Sequence, residues 1–148
     1  MKAYIGIDPG KSGAMAIIKP EGKIEIIPFD AVQYSKTMAY LCHEFDEITC
    51  CVEKVGAMPG QGVVSMFNFG HNLGLIEGLL KAYGIPYQMV PPQTWKKEFS
   101  LSSDKAKSIE VCQNLFPDVS LLPTDRSRKP NDGMAEALLM AEYARRRM

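Results

Sequence analysis

Two apolar runs of this chain each end in a carboxylate. Ala3 to Asp8, AYIGID, closes on Asp8, and Ile48 to Glu53, ITCCVE, closes on Glu53. Both runs carry the composition of buried strands. A lone ionised carboxylate at such a depth costs several kcal/mol unless a cation or hydrogen-bond donors compensate it. Two of them point to a shared cation.

The rest of the chain supplies the scaffold. Ala3 to Asp8, Gly13 to Lys19 and Lys23 to Pro28 are β-rich runs separated by turns at Pro9-Gly10 and Pro20-Glu21-Gly22, which predicts a three-stranded meander. Tyr34 to Phe45 has helical spacing through Met38, Leu41 and Phe45, and Ile48 to Glu53 follows as a short buried strand. After a loop from Val55 to Gly62, Val63 to Tyr83 has helical periodicity, with Gly70, Gly74 and Gly78 on one face. Such a face admits another backbone closely, so the helix is expected to pack hard against a sheet or a partner. Ile85 to Val90 is a last strand ended by Pro91-Pro92. Ser102-Ser103-Asp104 caps a helix running to about Phe116, Pro117 to Pro130 is a basic loop, and Asn131 or Asp132 caps a final helix. That helix carries an apolar stripe of Met134, Ala135, Leu138, Leu139 and Ala141, and Arg145, Arg146 and Arg147 suit its C-terminal dipole. The predicted order is βββαβαβαα, an α/β chain with a mixed five-stranded sheet flanked by helices.

At 148 residues, 46% of them apolar and 23% charged, the chain reads as one domain spanning residues 1–148. No stretch reaches the roughly 18 to 20 apolar residues that span a bilayer, and the N-terminus lacks a secretion pattern. The expectation is therefore no membrane association and a cytoplasmic location, beside the nucleoid or, for a phage-encoded chain, in the host cytoplasm. Cys42, Cys50, Cys51 and Cys112 have no metal-binding spacing and are expected to be reduced. The formal net charge of zero gives no overall attraction to a polyanion, so any such attraction has to be local.

The final helix adds Asp132 and Glu136 at i, i+4, on the same side of its first turns. Oxygen-only ligands suit Mg²⁺ or Mn²⁺, and two such ions about 4 Å apart can activate a water and stabilise a leaving oxygen in phosphodiester hydrolysis. Each acid alone fits a plainer role: Asp8 capping a turn, Glu53 paired with Lys54 or Lys11, Asp132 as an N-cap, Glu136 paired with Arg126 or Arg128. Their coincidence at two strand ends and a helix head favours a catalytic constellation of Asp8, Glu53, Asp132 and Glu136.

IGIDPGKSGAMAI, CCVEKV and NDGMAEALLMAEYA, in that order, resemble the RuvC group of Holliday-junction resolvases within the RNase H-like superfamily, and SMFNFGHNLGLIEGLL resembles the long helix after that family's second acidic strand. The resemblance covers nearly the whole chain. It implies an RNase H-like sheet, two divalent ions held by Asp8, Glu53 and Glu136, and a homodimer that nicks four-way DNA junctions symmetrically, with Val63 to Tyr83 as the dimer contact. The family commonly places another ligand three residues before the last acid, where this chain has Gly133, and ends on Asp where this chain has Glu136. Asp132 is assigned in its place. The family's aromatic three residues after the Glu is matched by Gly56, so either Met58, Phe67 or Phe69 substitutes for it or junctions are opened differently.

A duplex binder needs clustered cations. Lys105, Lys107, Arg126, Arg128 and Lys129 are the candidates, adjoining the metal helix; Lys96-Lys97 and the terminal arginines fit a solvated face equally well. Trp95 either stacks on an exposed base or anchors packing. The leading expectation is a Mg²⁺- or Mn²⁺-dependent endonuclease resolving four-way junctions. The alternatives are a non-catalytic junction- or RNA-binding scaffold, and an ATP-binding domain of the actin and sugar-kinase type, which IGIDPGKSG also resembles.

Overall fold

The computed structural model describes residues 1–56, 60–102 and 104–148, and of Lys105 only the backbone. Met58, a candidate for the missing aromatic, Ser103, a candidate cap, and the Lys105 side chain lie outside the described residues. The elements are β1 (Lys2–Asp8), β2 (Ala14–Ile18), β3 (Ile24–Pro28), α1 (Ala31–Glu44), β4 (Glu47–Glu53), α2 (Val63–Ala82), β5 (Tyr87–Val90), α3 (Pro92–Glu98), α4 (Lys105–Leu115) and α5 (Asp132–Arg147). The expected order gains one element. Pro91-Pro92 reads as a strand terminator, but Pro92 is the first residue of α3, where its fixed φ and missing N–H suit a helix start.

The strands form one mixed sheet in the order β3-β2-β1-β4-β5, antiparallel through β3, β2 and β1 and parallel from β1 to β4 to β5. Alternation assigns each strand residue a side. Ala3, Ile5 and Ile7 of β1 and Cys50 and Val52 of β4 pack with Tyr34, Met38 and Leu41 of α1 and Ile76 and Leu80 of α2. On the opposite face Cys51 and Val90 join Trp95 of α3, Cys112 of α4 and the apolar residues of α5.

Helix α5 is the centre of that second layer. Gly133 through Glu142 are all buried, because the sheet covers one side and α3 and α4 the other; the expected stripe is a helix enclosed nearly all round. Its approach to β1 is backbone to backbone. A Cβ on Gly6 would lie 2.1 Å from the Ala137 carbonyl oxygen and 2.3 Å from the Ala141 nitrogen, so only glycine fits between them. At the helix's C-terminal end, the buried Glu142 accepts hydrogen bonds from Arg145 and Arg146, and Arg146 and Arg147 also reach Glu98 of α3. Burial pushes the Glu142 carboxyl up, but the two guanidinium groups prevail and hold it below its usual range. Arg146 and Arg147 are thus structural clamps between α5 and α3, while Arg145 is paired within α5.

Helix α2 departs from expectation. Over 20 residues it buries only Ile76 and Leu80. Gly70, Gly74 and Gly78 face away from the sheet, and a Cβ on any of them would meet nothing within 4 Å among the described residues. The glycine face therefore does not pack on the sheet of its own chain. Val63, Val64 and Phe67 ahead of it are 82%, 72% and 73% exposed. No helix among the described residues is long and apolar enough to cross a membrane.

Gly6→Ala should cost about 3 kcal/mol or more, since the clash is with backbone that no side-chain rotation relieves. Urea unfolding measures it, and a loss below about 1 kcal/mol would contradict this packing.

Candidate active site

Parity along the strands brings the first two carboxylates together. Asp8 and Gly6 point to the α5 face of β1, as Cys51 and Glu53 do on β4. The parallel register pairs Ile7 with Val52, so Asp8 and Glu53 leave the same ends of adjacent strands side by side. Helix α5 runs back along β1, its Gly133 on the Ser12–Gly13 turn and its Ala137 and Ala141 on Gly6, and so carries Glu136 over the same point. One carboxylate oxygen from each of Asp8, Glu53 and Glu136 lies within 4.8 Å of the other two. Glu53 and Glu136 are only 7% and 5% exposed, and Asp8 is half-buried.

Three acids at this spacing, two of them buried, suit a hard divalent cation, which takes carboxylate oxygens and retains water for the rest of its shell. The charges are felt by their neighbours. Burial and then the Glu53 charge push the Cys51 thiol up to about 12, and burial and then the Asp8 charge raise the Tyr34 hydroxyl well above its usual range. The Tyr34 hydroxyl is buried and finds no hydrogen-bond partner among the described residues.

Asp132 is not a member of this group of three. It opens α5, half-buried, while Asn131 is the N-cap, its side-chain oxygen accepting from the Met134 N–H at 2.9 Å. The cap role left open between the two belongs to Asn131. Glycine at 133 has a steric cause. A Cβ there would sit 2.4 Å from the Ser12 carbonyl oxygen, so the position three residues before Glu136 is closed to every side chain.

Glu53 is not paired with Lys11 or Lys54 among the described residues; it accepts a hydrogen bond from the indole N–H of Trp95, Nε1 to Oε2 2.8 Å. Sequence reasoning missed this partner. Trp95 is fully buried, so base stacking is excluded and packing anchor is its observed role. The only signal available was a lone tryptophan a few residues beyond the strand that pairs with the Glu53 strand. Of the aromatic candidates, Phe69 lies against the turn after Asp8, 3.7 Å from where a Cβ on Gly10 would be, and Phe67 is exposed. Around Gly56 a Cβ would meet nothing within 4 Å among the described residues.

Lys107 on α4 and Arg126, Arg128 and Lys129 on the loop leading into α5 are all exposed. Lys96 on α3 lies over the Trp95 ring, 5.6 Å from its centroid.

The sheet order, the central α5 and acids at the ends of β1 and β4 define an RNase H-like fold of the kind found in Holliday-junction resolvases. Among solved structures, Thermus thermophilus RuvC in complex with a Holliday junction substrate matches with a TM-score of 0.65 at 15% identity, over 99% of this chain and 97% of that one. Thermus thermophilus RuvC in a second structure gives 0.61 at 16% identity, over 94% and 90% of the two chains. The Fowlpox virus resolvase with Holliday junction DNA gives 0.54 at 16% identity, over 99% of both chains. No protein-family sequence model and no curated protein sequence matches the chain.

Gly133→Asp, which would place a second acid three residues before Glu136, should destabilise by about 3 kcal/mol or more and bring no gain in cation binding. Urea unfolding and Mn²⁺ calorimetry together check it; a stable variant that binds Mn²⁺ more tightly contradicts the steric account.

Proposed function

We propose that this protein is a divalent-metal-dependent, structure-selective DNA endonuclease that resolves four-way junctions by paired phosphodiester cleavage. The observation that carries the reading is the convergence of Asp8, Glu53 and Glu136 from three elements within 4.8 Å, on a scaffold shared with junction resolvases. Asp8, Glu53 and Glu136 would hold Mg²⁺ or Mn²⁺, two ions per site, with Asp132 as a further candidate ligand. Bound there, the ions would offset the crowding of negative charge, favour deprotonation of an attacking water and stabilise the oxygen that leaves phosphorus.

The chain's own groups do the remaining work. Burial of Glu53 and Glu136 excludes bulk water and keeps their carboxylates strongly interacting. Without cations the acids would repel a phosphate backbone. Lys105, Lys107, Arg126, Arg128 and Lys129 are the residues we assign to bring it in, and the exposure of the last four supports this. A twofold substrate suits a twofold protein. The outward glycine face of α2, continuous with exposed Val63, Val64 and Phe67, supports a homodimer through that helix.

One observation favours a second reading, a junction- or RNA-binding scaffold without catalysis: Gly133 occupies the place of a family ligand and Asp132 lies outside the close group. A panel of four-way, three-way, flap and linear duplex DNA separates the two. The nuclease should nick the four-way junction with Mg²⁺ or Mn²⁺ and leave linear duplex intact, and Asp8→Asn should lose at least about a thousandfold in rate while still binding the junction. Tight junction binding without cleavage in either ion would establish the scaffold instead.

For the dimer, Gly74→Leu places a side chain on a face that is open within one chain, so the fold should survive while sedimentation shows a monomer. A wild-type chain that sediments as a monomer at tens of micromolar would refute the twofold assembly.

A further inference from the structure

The carboxylate of Glu53 has one donor among its described contacts, and that donor belongs to the only tryptophan of the chain. Trp95 is 0% exposed, enclosed by an apolar cluster that includes Phe99, Cys112, Leu121 and Leu138. A phenylalanine would fill such surroundings without a polar atom to satisfy; the indole N–H is satisfied by Glu53 at 2.8 Å. The donor is also rigidly mounted. Pro91 and Pro92 fix the backbone where α3 leaves β5, and Glu98 at the far end of α3 is clamped to Arg146 and Arg147 of α5. Helix α3 is thus tied both to the strand beside Glu53 and to the helix that bears Glu136.

A hydrogen bond to one oxygen of a carboxylate sets the plane of the group and leaves its other oxygen for a cation, the arrangement by which outer partners orient metal ligands. We propose that Trp95 is a positioning residue, its indole N–H holding Glu53 in the orientation that lets it share a cation with Asp8 and Glu136. The inference rests on the cation site of the nuclease reading. Loss of the N–H would leave the Oε2 atom buried without its donor, and the carboxylate would turn away to recover one.

The position of Trp95 gives a readout that does not need cleavage. In the full-length protein, its emission should be quenched saturably as Mn²⁺ is added, and the quench should disappear in Glu53→Gln. Mn²⁺ affinity by calorimetry should fall about tenfold in Trp95→Phe, while Phe99→Leu, a change in the same core cluster, should stay within about twofold of wild type despite a lowered Tm. Because Trp95→Phe alters packing as well, 3-benzothienylalanine at position 95 removes the N–H while preserving the ring shape. It should weaken Mn²⁺ binding as Phe does, whereas 5-fluorotryptophan, which retains the N–H, should bind like wild type. Wild-type affinity in the benzothienyl protein, or equal losses in Trp95→Phe and Phe99→Leu, would make Trp95 a packing residue only and leave the cation site standing. Absence of any Mn²⁺ binding by the wild-type protein would remove the cation site, and the role of Trp95 with it.

Discussion

Everything at the candidate site follows from how closely one helix lies on one strand. Helix α5 touches β1 through backbone atoms because Gly6 has no side chain to hold it off, and Gly133 repeats the contact against Ser12 and Gly13. A helix seated at ordinary side-chain distance would carry Glu136 away from Asp8 and Glu53. The same closeness constrains the chemistry: the position that seats the head of α5 cannot also bear an acid. Position 133 is closed to a side chain by the depth of α5, and Asp132 beside it is not among the acids that meet within 4.8 Å.

Charge is partitioned in a way that the zero formal balance conceals. Negative charge converges at the ends of β1 and β4 and the head of α5. Of the positive charge, Arg145, Arg146 and Arg147 are spent on Glu142 and Glu98 and stiffen the frame. Exposed cations are spread over the surface, Lys11, Lys23, Lys36 and Lys97 among them, and Lys107, Arg126, Arg128 and Lys129 lie on α4 and on the loop that leads into α5. Trp95 links the two parts of the frame, since its helix is clamped to α5 at one end and it touches Glu53 at the other.

The alternation of β1 and β4 was legible because a strand has only two sides and the apolar residues mark one of them. Asp8 and Glu53 could therefore be read as strand-end acids from IGID and CCVE alone. The glycine spacing of α2 was equally plain, but its meaning was not: periodicity says which residues share a face and nothing about what meets it, and here none of the described residues does. Helix α3 escaped notice because its opening prolines terminate a strand and begin a helix with equal ease.

By itself the sequence determined the order of the strands and of every helix but α3, the sidedness of the sheet, and the acids that could meet, since these depend on local propensity and a fixed side-chain period. Only the tertiary structure decided which acids do meet, why position 133 must be glycine, and that Trp95 serves Glu53. Those outcomes depend on distances between segments remote in the chain, set by the backbone contact of α5 with β1 and the clamp of α3 on α5, which no local pattern encodes.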